Sequence, residues 1–152
     1  MEMLTFFDWL FILTAILFNL LIAGIFIAQK HGREGLVSVL GRVWLTLFFP
    51  LLVVLVNYMI IGKESWMLVL FGVIFIYMLV EFVLDYIVHY DFRAQWVTHA
   101  PYILLEYAAL FSLIAIAINI DQMLSWFVAG GFWILMGSLI YLYAGRRKAK
   151  QV

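Results

Sequence analysis

The chain has 152 residues, of which 68% are apolar and 12% charged, with zero net charge and a mean hydropathy of +1.12. A soluble domain carries about 25% charged residues, and a soluble fold of this length has too little interior for so much apolar side chain. The absence of cysteine excludes a disulfide scaffold, the lack of polar tracts excludes disorder, and the balanced charge excludes a nucleic-acid binder.

A helix crosses the hydrocarbon core with about 20 apolar residues. Five runs reach that length: 6–29, 36–61, 66–90, 100–120 and 123–145. Each is apolar around nearly its whole circumference, and none alternates as a barrel strand does. The expected fold is all-α: a polytopic membrane protein with five transmembrane helices in an antiparallel bundle, forming one domain over 1–152.

The boundaries carry local signals in chain order. Thr5 with Asp8 has the capping-box spacing ahead of the first run. That run has no basic flank and is too long for a secretory signal, so it reads as a retained span. The segment from Lys30 to Arg42 holds three cations and three glycines and reads as a solvated loop. Pro50 lies inside the second run, where it should kink the helix and deprive the Thr46 carbonyl of its donor. Ser65 is placed to cap the third helix, Thr98 or His99 the fourth with Pro101 in its first turn, and Asp121 the fifth. Asn19, Asn57 and Asn119 are expected to bond between helices. Gly130, Gly137 and Ala144 recur every seven residues; such a stripe suits close packing within the bundle or, alternatively, a homo-oligomer face.

Orientation follows from the basic residues, because short positive loops stay cytoplasmic. Lys30, Arg33, Arg42, Arg93, Arg146, Arg147, Lys148 and Lys150 fall on one side of a five-span chain, and only Lys63 on the other. This predicts a plasma or inner membrane protein with its N-terminus outside and its C-terminus cytoplasmic. Trp9, Trp66 and Trp126 then sit at outer ends and Trp44 and Trp96 at inner ends, as an aromatic belt requires. Trp133 alone lies deep.

Ionisable groups at bilayer depth are costly and point to function. Glu81, Asp85 and His89 are spaced i, i+4, i+8 in the third span, and Tyr77 extends their face. His99 and Glu106 are seven apart in the fourth, with Tyr102 between them. From the inner boundary, Glu81 lies about 13 Å deep, Asp85 about 7 Å and Glu106 about 10 Å. The two faces predict one polar site opening to the cytoplasm. Carboxylate and imidazole together suit a divalent transition metal such as zinc, iron, manganese or copper. Glu81, Asp85 and Glu106 would be oxygen ligands, and His89 and His99 would complete the shell. Such a site would serve catalysis on a lipophilic substrate or metal handling. No standard metal motif is present to specify which. The alternatives are a proton- or cation-coupled transporter or channel subunit, and a structural accessory subunit whose carboxylates pair with Arg42, Arg93 and Arg146.

Overall fold

The computed structural model describes residues 4–88 and 96–149, with backbone alone at 88, 96–99 and 145–149. The described residues are all-helical. Five stretches are long and apolar enough to cross a membrane: Phe6–Lys30, Glu34–Ile60, Ser65–Ile87, Ala100–Ile120 and Gln122–Ala144. The fold is a polytopic all-α membrane protein built as an antiparallel bundle.

Helix α1 (Phe6–Lys30) begins with the expected capping box. The Asp8 N–H donates to the Thr5 hydroxyl at 3.2 Å, and the Thr5 N–H donates back to the Asp8 carboxylate at 2.9 Å. The helix ends at Lys30 with His31 as its C-cap, and Gly32 follows with a φ of +65° that favours a residue without a Cβ.

The second span is broken in two. Helix α2 (Glu34–Thr46) stops one residue before α3 (Phe48–Ile60), and Leu47 forms the joint. Pro50 has no N–H to return to Thr46, so the ladder cannot run through. The Leu47 N–H bonds instead to the Trp44 carbonyl at 3.0 Å, which tightens the last turn of α2. Because α2 starts at Glu34, most of the 30–42 segment is helix, and the solvated loop shrinks to residues 31–33.

Helix α4 (Ser65–Phe82) passes directly into a π-helical turn over Val83–Val88. Ser65 does not cap it. Glu64 holds the N-cap position without a capping bond, and its carboxylate takes the indole N–H of Trp66 instead. Helix α5 (Trp96–Ile120) starts earlier than expected, so Thr98 and His99 are helical residues rather than caps, and Pro101 lies inside the helix. Proline there removes only the bond to the Val97 carbonyl, close to the helix start. Helix α6 (Gln122–Ala149) is capped by Asp121, whose Oδ1 accepts the Leu124 N–H at 2.8 Å.

Helix α1 is central and packs most extensively on α6. Gly131 permits that approach: a Cβ there would stand 3.2 Å from the Asn19 Cβ. The Asn19 amide donates across the interface to the Val128 carbonyl at 3.4 Å. At the far end of α1, Lys30 Nζ donates to the Tyr141 carbonyl at 2.7 Å and sits 3.0 Å from the centre of its ring. Asn119, by contrast, is exposed at the end of α5.

The expectation that Gly130, Gly137 and Ala144 pack inside the bundle fails. A Cβ on Gly130 or Gly137 would meet nothing within 4 Å, and Gly137 and Ala144 are exposed. The stripe lies one residue, or about 100° of helix, away from the face that packs. Trp44 also departs from expectation. Trp9, Trp66 and Trp126 are exposed, but Trp44 is only 3% exposed. Helix α2 lies against α1, and this brings the Trp44 ring onto Phe18 with centroids 4.9 Å apart. The rest of the core is aromatic and aliphatic, with Phe11, Phe71, Leu51 and Leu113 fully buried. Leu104, Trp133 and Ile140 face outward, as residues in contact with lipid tails do.

Candidate functional site

The bundle forms a partly open chamber of about 1090 Å³. It lies where α1, the π turn and α6 approach their ends and α2 and α5 begin. Helix α4 with its π turn contributes Tyr77, Glu81, Asp85 and Tyr86, and α5 contributes Tyr102, Glu106 and Tyr107. Helix α2 adds Glu34, Ser38, Gly41 and Trp44. Gln29 comes from α1, Tyr143 from α6, and apolar stretches such as Ile103, Leu110 and Met136 fill the remaining wall.

The predicted residues Tyr77, Glu81, Asp85, Tyr102 and Glu106 therefore share one chamber. His89 and Arg93 lie outside the described residues, and His99 and Arg146 are described by backbone alone. Of the proposed charge partners, Arg42 donates to the Ser38 hydroxyl of its own helix at 3.0 Å.

The centre of the wall is a chain of hydroxyl contacts. The Tyr102 hydroxyl donates to the Glu81 carboxylate and lies 3.5 Å from the Tyr77 hydroxyl. Both phenols are buried, Tyr77 at 2% and Tyr102 at 8% exposure, so their polar ends need such partners. Tyr77 meets the Trp44 indole edge-on at 5.7 Å. The Trp44 Nε1–H is itself buried and meets no acceptor among the described residues.

The π turn changes the register on which the i, i+4 spacing relied. A turn bonded i to i+5 admits an extra residue. Asp85 and its neighbour Tyr86 both reach the chamber as a result. Gly41 makes room on the opposite wall: a Cβ there would stand 3.1 Å from the Tyr86 hydroxyl.

The arrangement corrects the metal expectation in one respect. Among the described residues, no three Asp, Glu or His side chains stand close enough to hold one ion. Glu81, Asp85 and Glu106 line a common space without forming a ligand trio. Glu34, Trp44 and Tyr86 were not anticipated. Trp44 had the signature of an interfacial anchor, and Glu34 that of a loop residue.

No protein-family profile, curated protein or solved structure matches the chain. Fold and chamber define an integral membrane protein whose five-span bundle carries a partly open cavity of mixed polar and apolar lining.

Proposed function

We propose that the protein binds a cation in this chamber, entering from the cytoplasmic side, as the binding step of transport. The carrying observation is that Glu81, Asp85 and Glu106, from consecutive spans, line one space together with Glu34 and several phenols. Carboxylates at this depth are expensive to maintain, and a bound cation offsets that cost. The basic flanks around this end of the bundle support a cytoplasmic placement.

A divalent metal is the narrower version of the same reading. Since three described ligands do not converge, it needs His89 and His99 to complete the shell around one or two of the carboxylates.

Equilibrium dialysis of the purified protein in lipid nanodiscs tests the reading. The probes are manganese, zinc, potassium and benzyltrimethylammonium. At least one should bind stoichiometrically and weaken tenfold or more in Glu81→Gln and Glu106→Gln, but not in the exposed Glu64→Gln. If no probe binds, or the chamber variants retain full affinity, the proposal fails.

A further inference from the structure

Helix α2 is the least anchored wall of the chamber. Both its ends are joints: Gly32 precedes it with a φ of +65°, and the interrupted ladder at Leu47 follows it. Arg33 holds its N-cap position without a side-chain capping bond. Among the described residues, α2 packs extensively on α1 alone. Of its 13 residues only Trp44 is buried, three positions before the Leu47 joint. Leu36, Val39 and Val43 are exposed on its outer side. Glu34, Val37, Ser38, Gly41 and Leu45 run along its inner side and line the chamber from one end of the helix to the other. A short helix jointed at both ends and supported on one side is built as a hinge or shear element.

The second observation lies on the opposite wall. Tyr86 belongs to the π turn, and its ring stacks on that of Phe82 with centroids 5.8 Å apart and planes 19° from parallel. Its hydroxyl reaches α2 at Gly41, where a Cβ would stand 3.1 Å away. The phenol thus crosses the seam between the π turn and α2. It touches α2 midway along its length, at a residue whose missing side chain leaves room for it. The two irregular backbone features, the π turn and the break at Leu47, bear on this one contact.

We propose that α2 is a movable wall of the chamber, pivoting on α1 between Gly32 and Leu47, and that the contact of Tyr86 with Gly41 is the latch holding it against the π turn. Release of the latch widens the seam and admits solute to the chamber, as the opening of a lid does. The inference concerns access alone and does not depend on the cation reading.

The test uses the full chain in nanodiscs and needs no ligand. Because the chain has no cysteine, Val39→Cys with Leu79→Cys carries a pair of spin labels from α2 to α4, and Val56→Cys with Leu79→Cys makes the same measurement from α3. All three positions are exposed. In double electron–electron resonance, Tyr86→Ala should add a longer distance to the α2 pair and leave the α3 pair unchanged. In a Pro50→Ala background, where the helix runs through the joint, Tyr86→Ala should add no longer distance. A single thiol on the chamber wall, Met136→Cys, reports access. Its reaction with a water-soluble methanethiosulfonate should quicken at least fivefold on Tyr86→Ala, but less than twofold when Pro50→Ala is also present. That contrast separates motion of α2 from the mere space vacated by the phenol. An α2 distance that Tyr86→Ala does not change overturns the proposal. So does equal lengthening of both pairs, or a labelling gain that survives Pro50→Ala. If Tyr86→Ala does not fold, Gly41→Leu wedges the same seam from the other side; it should lengthen the α2 pair alone, and lengthening of neither pair or of both overturns the proposal equally.

Discussion

The Tyr58 hydroxyl donates to Oδ1 of Asp8 at 2.6 Å, joining residues fifty positions apart. Oδ2 of the same carboxylate accepts the Thr5 N–H at 2.9 Å and the Thr5 hydroxyl at 2.7 Å. One side chain thus caps α1 and ties its start to the end of α3, at the end of the bundle opposite the chamber. Tyr58 is fully buried and Asp8 only 7% exposed, so water cannot replace either partner. Tyr58→Phe should cost about 1–3 kcal/mol, the penalty for leaving a buried acceptor short of its donor. Asp8→Ala should cost about 1 kcal/mol more, because the helix cap goes as well. Reversible unfolding in mixed micelles measures both. A Tyr58→Phe protein as stable as the parent would show that the bond contributes nothing.

The α1–α6 interface makes the second prediction. Gly131 faces Asn19 at a separation that leaves no room for a larger side chain, whereas Gly137 faces open space. Gly131→Leu should separate the helices, lower the folded yield and reduce the unfolding temperature sharply. Gly131→Ala should do so mildly, since a shift of a few tenths of an ångström accommodates one methyl. Gly137→Leu should leave the unfolding temperature of the monomer unchanged. Size-exclusion with light scattering on Gly137→Leu also reads any self-association through that outward stripe.

These two cases show what was legible in the sequence and what was not. The Asp8 capping box and the Asp121 cap depend on residues three apart, so local spacing suffices to find them. Their span ends are legible for the same reason. Gly130 and Gly131 are adjacent, yet only one touches α1; choosing between them requires the rotation of α6, which no local pattern fixes. Trp44 reads as an interfacial anchor until α2 is known to lie along α1. Of the chamber, Glu81, Asp85 and Glu106 were legible because carboxylates are rare in apolar runs. Tyr86 was not, because nothing in the stretch VLDYIV announces a π turn.

Pro50 gives the third prediction. It forces the break at Leu47 that separates α2 from α3. Pro50→Ala restores the missing N–H and lets one helix run through the span. The removed break should leave the unfolding temperature equal to or above that of the parent. It should also carry Trp44 away from Tyr77, whose rings now meet at 5.7 Å, and so reshape the chamber. Affinity for whichever cation binds the parent should therefore fall severalfold while stability does not. Unchanged affinity in a Pro50→Ala protein of undiminished stability would show that the break does not shape the site.

The orientation supplies the last prediction. The chain has no cysteine, so any single introduced thiol reports its own location without background. Lys63 lies in the turn between α3 and α4, after Gly62 with its φ of +70°, and His31 lies in the short connection between α1 and α2. Helices α2 and α3 together make one span, so these two positions must lie on opposite faces of the membrane. The basic residues flank the His31 side, and such segments resist translocation. Lys63→Cys should react with a membrane-impermeant maleimide on intact cells. His31→Cys should react only after permeabilisation. The reverse pattern would place the chamber on the outer face and turn the route of cation entry around. Labelling of both positions on intact cells would mean that 34–60 does not cross the bilayer as one span, and the five-span topology would fail with it.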